Sequence, residues 1–306
     1  MRLNKKTEEK VMKKKAMSLL LLATMTLNLL VGCGETAQEP QEEAKEVVIE
    51  EEDKAKAGEV ESSYGEILSA IKERGKLIVG TASGYPPYEF VDITSADQQV
   101  IGIDMELAKA IAEELGVELV IEDMSFSSLL ASLPAKKIDL AIAGIAPTDE
   151  RKESMDFSDS YLFAEQSFLI LKSNESVYGT LDSFKGQPLA AQKSTTQERV
   201  CQDLFPDSQL VSLDKVPDCI MELKSGKVAG VCIESIVGQQ YVISDEELIF
   251  SSADLGIKKE TAIALEKGNE DLLEIVNKVI ADNMANGNFD KWIMEYSEIA
   301  ASNAGN

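Results

Sequence analysis

Residues 102–122, GIDMELAKAIAEELGVELVIE, decide the architecture. From Asp104 to Leu115 the apolar residues Leu107, Ala108, Ile111, Ala112 and Leu115 recur every three or four positions, which lays them on one face of a helix. Gly116 ends that helix, because glycine adopts the left-handed turn that closes one at no steric cost. Val117–Glu122 follows at once as a short apolar, β-branched run and reads as a strand. Worked outward, the same alternation continues. Strands are predicted over Lys76–Thr81 (KLIVGT), Ile138–Gly144, Ser167–Lys172, Pro188–Gln192, Val228–Ile233, Leu248–Ser251 and Thr261–Leu265. Helices are predicted over Ser127–Ala135, Thr195–Leu204, Asp218–Ser225, Ser235–Val242, Asp271–Asn286 and Phe289–Ala300. The pattern is α/β with largely parallel sheets, whose ligands bind where strands run into loops at their carboxyl ends.

Composition removes several classes of function. The 306 residues carry 54 Asp+Glu against 30 Lys+Arg, a net charge of −24, and no His. A Ser-His-Asp triad, a Cys-His protease and an imidazole zinc site are excluded. A chain this acidic is repelled by nucleic acid. No cofactor or metal motif stands out, and a monomer is expected.

The amino-terminal stretch reads as an address. Arg2, Lys5, Lys6, Lys10, Lys13, Lys14 and Lys15 precede the uncharged run Met17–Val31, a basic and then apolar pattern typical of an export signal and too short to span a bilayer comfortably. The run closes on Leu30-Val31-Gly32-Cys33, which resembles the lipobox of bacterial lipoproteins. That likeness implies removal of residues 1–32, palmitate-type acylation of Cys33 and a lipid tether to the outer face of the cytoplasmic membrane. An uncleaved anchor with an incidental Cys33 is the alternative. Residues 33–63 are Glu-rich and lack aromatics, so an acidic, self-repelling linker is expected. Of the other cysteines, Cys201, Cys219 and Cys232, at most two pair, and Cys232 in VAGVCI reads as a buried small residue.

The strand ends carry the candidate site. After Lys76–Thr81 comes Ala82–Phe90, where two prolines stiffen a loop bearing Tyr85 and Tyr88; Tyr85 suits a stacking wall and Tyr88 reads as core. Phe126, after the next strand, is an opposing wall or core. After Ile138–Gly144, Thr148 caps a short helix that brings Arg151 beside free backbone N–H groups, a receptor for a carboxylate. Lys193-Ser194-Thr195-Thr196 opens a second helix with the same affinity for anions. Glu234 ends an apolar strand, where a carboxylate needs a cation: a ligand ammonium or an internal lysine. Two anion receptors, a carboxylate and two aromatic faces are what a free amino acid requires.

These segments resemble a known family, the solute-binding proteins of polar amino-acid ABC transporters (solute-binding family 3). The likeness rests on GIDMEL with AKAIAEEL (102–115), YPPYEF (85–90), MSFSSLL (124–130), IDLAIAG (138–144), PTDERKESMDFSDSY (147–161) and KSTTQE (193–198), in family order over about residues 64–300. It implies a two-lobed, periplasmic-binding-protein type II-like fold. Lobe 1 would hold 64–162 and 262–306 and lobe 2 would hold 163–261, with hinge crossings near Tyr161–Glu165 and Ile257–Thr261. It further implies that the solute carboxylate meets Arg151 and backbone N–H groups at Ala146 and Thr196. The ammonium would meet Glu234 and the carbonyl of Gly144, with Tyr85 and Phe126 flanking the side chain. The sequence departs from the pattern at Ala146, where Ser or Thr is usual, at Ser194, where Gly is common, and at Glu234, where Asp is usual. Ala82 lacks the acid of relatives that hold cationic side chains, which argues against lysine, arginine and histidine unless Glu89 substitutes. Gln192, near Ile233 at the side-chain end, favours a neutral polar ligand such as glutamine. Capture by hinge closure and delivery to a separate permease and ATPase follow from the resemblance. Its rivals are a sensor domain that reports to a kinase and a dehydratase on the same scaffold, for which Glu89 or Glu234 would donate the proton.

Overall fold

The computed structural model describes residues 65–304. The signal over 1–32, Cys33 and the 33–63 linker lie outside the described residues. Helix α1 (Glu66–Arg74) leads into β1 (Lys76–Thr81). A small hairpin of β2 (Phe90–Val91) and β3 (Val100–Ile101) precedes α2 (Ile103–Leu115) and β4 (Glu118–Asp123). Then come α3 (Phe126–Ser132), β5 (Leu140–Ala141), the one-turn α4 (Asp149–Lys152) and β6 (Met155–Phe157). The long β7 (Leu162–Leu171) opens a second series: β8 (Leu189–Gln192), α5 (Thr196–Leu204), β9 (Leu210–Leu213), α6 (Val216–Lys224), β10 (Gly230–Glu234), α7 (Ser235–Ser244) and β11 (Leu248–Phe250). The chain then returns through β12 (Lys258–Thr261) and β13 (Ala264–Glu266) to α8 (Glu270–Ala285) and α9 (Asn288–Ala304).

Two sheets result, each the centre of one lobe. The first has the order β4-β1-β5-β13-β6 and the second β11-β7-β10-β8-β9, with β12 paired to β7. Both are mixed rather than largely parallel. β1–β4, β1–β5, β8–β9 and β8–β10 run parallel, while β13, β7, β11 and β12 pair antiparallel. The physical reason is the double crossing: a chain that leaves one sheet and later returns enters it against the grain. The start of β7 pairs with β12, Leu162 with Thr261 and Glu165 with Lys258, and its end joins β10 and β11 in the second lobe. A two-strand ribbon thus links the lobes.

The helix read from residues 104–115 buries Leu107, Ala108, Ile111, Ala112 and Leu115, the five residues of its apolar face. Its start depends on Gly102 at φ 138°, where a Cβ would stand 2.1 Å from the carbonyl oxygen of Tyr88. That close packing sets the first turn of α2 against the 85–90 loop. Beyond the predicted elements the structure has α1, the β2–β3 hairpin, β6, β9 and β12. β12 reads KKET and shows no apolar run, but Lys259 and Thr261 are buried while Lys258 and Glu260 are exposed, so its period of two is carried by polar residues. The strand predicted over Thr261–Leu265 is in fact broken between β12 and β13. Among the described residues no helix is long and apolar enough to cross a membrane.

Candidate functional site

Where the lobes face each other, the loops after β1, β5, β8 and β10 converge with β12. At one end stands Arg151. Thr148 caps its short helix, its Oγ1 accepting the Arg151 backbone N–H at 3.3 Å, so the guanidinium is set by the loop that follows β5. Nη1 donates to the carbonyl of Ala146 at 2.8 Å, and Nη2 crosses the cleft to the carbonyl of Ser194 at 2.9 Å. The guanidinium carbon lies 5.3 Å from the centre of the Phe126 ring, which makes Phe126 both wall and cation–π partner. Burial lowers the Arg151 pKa to about 10, so the group stays charged at neutral pH. Five N–H donors against two carbonyl acceptors leave it capacity for a carboxylate.

Facing Arg151 is the start of α5. Thr195 is its cap, accepting the Glu198 N–H at 3.1 Å and donating its hydroxyl to the carbonyl of Gln192 at 2.6 Å. Thr196 is the first helical residue. Ser194 takes φ 65°, the left-handed conformation, which explains why glycine suits this position. Gln192 donates Nε2 to the carbonyl of Asp214 at 3.0 Å.

The other end is organised around a lysine. Both the carboxylate of Glu234 and the carbonyl of Gly144 accept from Nζ of Lys259, on β12. Glu234 also accepts the hydroxyls of Tyr85 at 2.8 Å and Tyr88 at 3.1 Å. The two tyrosine rings stack at 5.7 Å, and Lys259 sits 5.8 Å and 6.0 Å from their centres. Of the two cations the sequence left open for Glu234, a ligand ammonium or an internal lysine, the structure shows the internal lysine, which Glu234 shares with the Gly144 carbonyl. A carboxylate sealed in the interior needs a cation from its own chain, and β12 supplies it. Gly144 takes φ 55°, a left-handed conformation that strains any side chain, and a Cβ there would also press on the Tyr85 ring at 3.3 Å.

Behind this pair lie two more acids. Asp104, in the first turn of α2, accepts the Gly144 N–H at 2.8 Å and the Tyr161 hydroxyl at 2.8 Å. Burial raises its pKa to about 6 against the opposing pull of those hydrogen bonds. Burial also holds the Glu89 carboxyl well above its ordinary range, with the Asp104 charge adding to the effect and Lys259 opposing it. Glu89 is 1% exposed, and its carboxyl hydrogen-bonds that of Asp104, an acid pair that shares a proton.

A cavity of about 10 Å³ remains between the two ends, room for about one water. Tyr85, Glu89, Phe126, Arg151, Thr196 and Lys259 line it, with Gly144, Ala146, Gln192 and Gln197 also on its wall. Of the sequence-predicted residues, Ala82 and Ile233 pack instead into the core, and Glu234 lies behind Tyr85 and Lys259. Three residues of the site escaped the sequence reading. Lys259 gave only the signal of a lysine at a buried register of a polar strand. Tyr88 was read as core alone, yet its hydroxyl serves Glu234. Gln197 crosses the cleft to the Tyr85 hydroxyl at 3.1 Å. Arg199 to Glu150 at 2.8 Å and Lys215 to Ser83 at 3.3 Å also bridge the lobes. Cys201, Cys219 and Cys232 are all free and buried, and burial pushes the Cys219 thiol up to about 12.

The comparisons with known proteins agree with this geometry. Residues 77–298 match the family described as bacterial extracellular solute-binding proteins, family 3. The L-cystine-binding protein TcyJ of Escherichia coli is 30% identical over 230 residues, 74% of this chain and 85% of that protein. The arginine-binding extracellular protein ArtP of Bacillus subtilis is 34% identical over 220 residues, 71% of this chain and 84% of its own. The crystal structure of the amino-acid ABC transporter substrate-binding protein AbpA of Streptococcus pneumoniae, bound to L-arginine, superposes with a TM-score of 0.74 at 36% identity, covering 76% of this chain and 99% of that one. An ancestral amino-acid-binding protein, a precursor of cyclohexadienyl dehydratase, superposes with a TM-score of 0.68 at 28% identity, covering 75% and 98%. With a family match across most of the chain and a two-lobed fold closed on a charged cleft, this chain belongs to the bacterial extracellular solute-binding proteins, family 3.

Proposed function

We propose that the protein is the solute-capturing component of an importer, taking a free amino acid between its lobes and presenting it to a separate permease and ATPase. The observation that carries this is Arg151: a charged, largely desolvated guanidinium on the cavity wall, held by carbonyls of both lobes and with donors left over. A carboxylate placed there accepts a bidentate pair, and the N-terminus of α5 adds its dipole. The cavity is far smaller than an amino acid, so the lobes part at the β7–β12 ribbon to admit one and close over it. Micromolar capture needs about −8 kcal/mol, which a few charge-assisted bonds reach only in a cleft that excludes water. For the side chain, the reading favours a neutral polar group such as that of glutamine, because Gln192 stands on the wall; Glu89 on the same wall is the feature that would suit a cationic side chain instead. Acylation at Cys33 would hold a monomer at the outer face of the membrane, with residues 33–63 as the tether.

Titration calorimetry across the twenty amino acids and cystine tests the reading. Arg151→Ala is expected to weaken the bound amino acid about 100-fold or more, the loss of a desolvated bidentate pair, with far-ultraviolet circular dichroism unchanged. Unaltered affinity would remove Arg151 from the site. A second reading, a dehydratase on the same scaffold, is favoured by one observation: Glu89 is a buried acid of raised pKa on the cavity wall, a proton donor in the right place. Turnover of cyclohexadienyl substrates, lost in Glu89→Gln, would establish it.

A further inference from the structure

The second lobe carries three buried thiols that the cleft does not use, and the fold brings two of them together. α5 and β10 both end at the cleft. Gln197, in the first turn of α5, donates to the Tyr85 hydroxyl at 3.1 Å, and that hydroxyl donates to Glu234, the last residue of β10, at 2.8 Å. One helical turn on from Gln197, about 6 Å along the axis, is Cys201. Two residues back from Glu234, about 6–7 Å along the strand and on the same face, is Cys232. The helix runs away from the cleft and the strand runs toward it, so the two steps agree in length and direction. They bring Cys201 and Cys232 into one apolar cluster with Phe168, Phe184 and Phe205, where the cysteines are 2% and 3% exposed and their thiols share a hydrogen bond. Cys219, on α6, packs instead with Val231 and Ile233, which alternate with Cys232 and face the other side of the sheet.

We infer that Cys201 and Cys232 form a disulfide site, a covalent tie between α5 and β10 behind the cleft. The assignment stands whatever solute the cleft takes. A member of an extracellular family works where no cytosolic reductant keeps paired thiols apart. The oxidant is a low-molecular-weight disulfide. The thiolate of one cysteine attacks it, its S–S bond breaks, and one reduced thiol leaves behind a mixed disulfide. The second cysteine then attacks the sulfur of the first, expels the second reduced thiol and closes the Cys201–Cys232 bond. Two protons pass from the cysteines to the departing thiols, the cysteine sulfurs are oxidised and the reagent is reduced. The Cys201 thiol, and after it burial, hold the Cys232 thiol well above its ordinary range. Exchange therefore runs while the chain folds, before α5 closes on β10, and the finished bond is shielded from reductant. The bond joins the two elements that bring Thr196 and Glu234 to the cleft, and it restricts the unfolded chain through the long loop it closes.

The test takes the chain from residue 33 onward with Cys33→Ser, unfolds it in urea and refolds it in oxidised glutathione, with a sample refolded in dithiothreitol beside it. Oxidation is expected to lower the intact mass by two hydrogens and to leave one of the three thiols reactive toward a thiol reagent in urea. Peptide mapping should join Cys201 to Cys232 and find Cys219 alkylated. The oxidised form should melt about 5–10 °C above the reduced form. Cys219→Ala should keep that difference, and Cys201→Ala/Cys232→Ala should abolish it. The comparison of the two refolded samples needs neither variant to fold. Three free thiols after oxidative refolding, a bond that includes Cys219, or an oxidised form that melts no higher than the reduced one overturns the assignment.

Discussion

At the Arg151 end of the cleft a guanidinium with five donors gives two to carbonyls, one from each lobe, and keeps the rest facing a cavity. At the Glu234 end a carboxylate has both oxygens taken, by a lysine and two tyrosine hydroxyls, and is wholly buried. Both ends are charged groups between the lobes, yet the half-buried one retains open valence and the fully buried one does not. The difference teaches how to separate recognition from framework: a charged group recognises a solute through the bonds it has not already made. It also predicts opposite consequences of mutation. Arg151→Ala should cost affinity and little stability, because Arg151 is itself half-buried and the Ser194 carbonyl it leaves is exposed to water. Glu234→Ala should cost stability first. Removing one partner of a buried pair strands the other, so urea unfolding is expected to show a loss of about 3–5 kcal/mol, with Glu234→Gln/Lys259→Met losing much less. A Glu234→Ala protein as stable as the wild type would mean that Lys259 finds another anion and that the pair is no frame.

Protonation sharpens the same contrast. The Asp104 carboxyl is raised to about 6 by burial, and Glu89 is raised in the same direction. A group whose folded pKa lies above its unfolded value favours the folded state when protonated. Its contribution is complete below the unfolded pKa and is lost as pH rises through the folded one. Raising pH from about 4 to 7 should therefore remove on the order of 3 kcal/mol through Asp104. The groups facing it are Glu89, Lys259 and Tyr161. Thermal unfolding of the wild type against Asp104→Asn over that range isolates the term, and parallel curves would show that Asp104 does not titrate there. Arg151, charged throughout, gives the other end of the cleft no such slope.

The Tyr85 hydroxyl joins the two arrangements, donating to Glu234 at 2.8 Å while accepting Gln197 from the second lobe at 3.1 Å. Tyr85→Phe keeps the ring and removes the bridge. A loss of about 1–2 kcal/mol in unfolding free energy is expected, as for a buried carboxylate and amide each deprived of one partner. A change below a few tenths of a kcal/mol would assign Tyr85 to stacking alone.

How much of this was legible in the sequence follows from which signals are local. The helix face of 104–115, the cap at Thr148 that places Arg151 and the hydroxyls that open α5 are all written within a few residues, and each stands in the structure at its read position. Convergence of the strand ends was not local; it came from the family resemblance. The largest miss, Lys259, is a matter of pairing. Nothing within β12 distinguishes Lys259 from Lys258 until β7 lies beside the strand and turns one lysine inward to Glu234 and the other out to Glu165. The mixed sheets escaped for the same reason, since strand direction depends on where the chain returns and not on the residues of the strand.

The smallest expected effect concerns the loop that meets Arg151 from the second lobe. Ser194 sits at φ 65°, where a Cβ crowds the following carbonyl, and its own carbonyl accepts Nη2 of Arg151 at 2.9 Å. Its N–H is held by the Glu198 carboxylate at 2.7 Å, so the left-handed turn is fixed from both sides. Ser194→Gly removes the steric cost and adds freedom to the unfolded chain, two effects of opposite sign, the first being the larger at a left-handed position. A net gain of about 0.5–1 kcal/mol is expected, roughly 1–4 °C in melting temperature for a body of this size. Affinity should be unchanged, because the carbonyl that meets Arg151 belongs to the backbone and remains. A lower melting temperature would show that the serine is held there by its own bonds rather than tolerated, and weaker binding with an unchanged melting temperature would move Ser194 from the frame of the cleft to its recognising side.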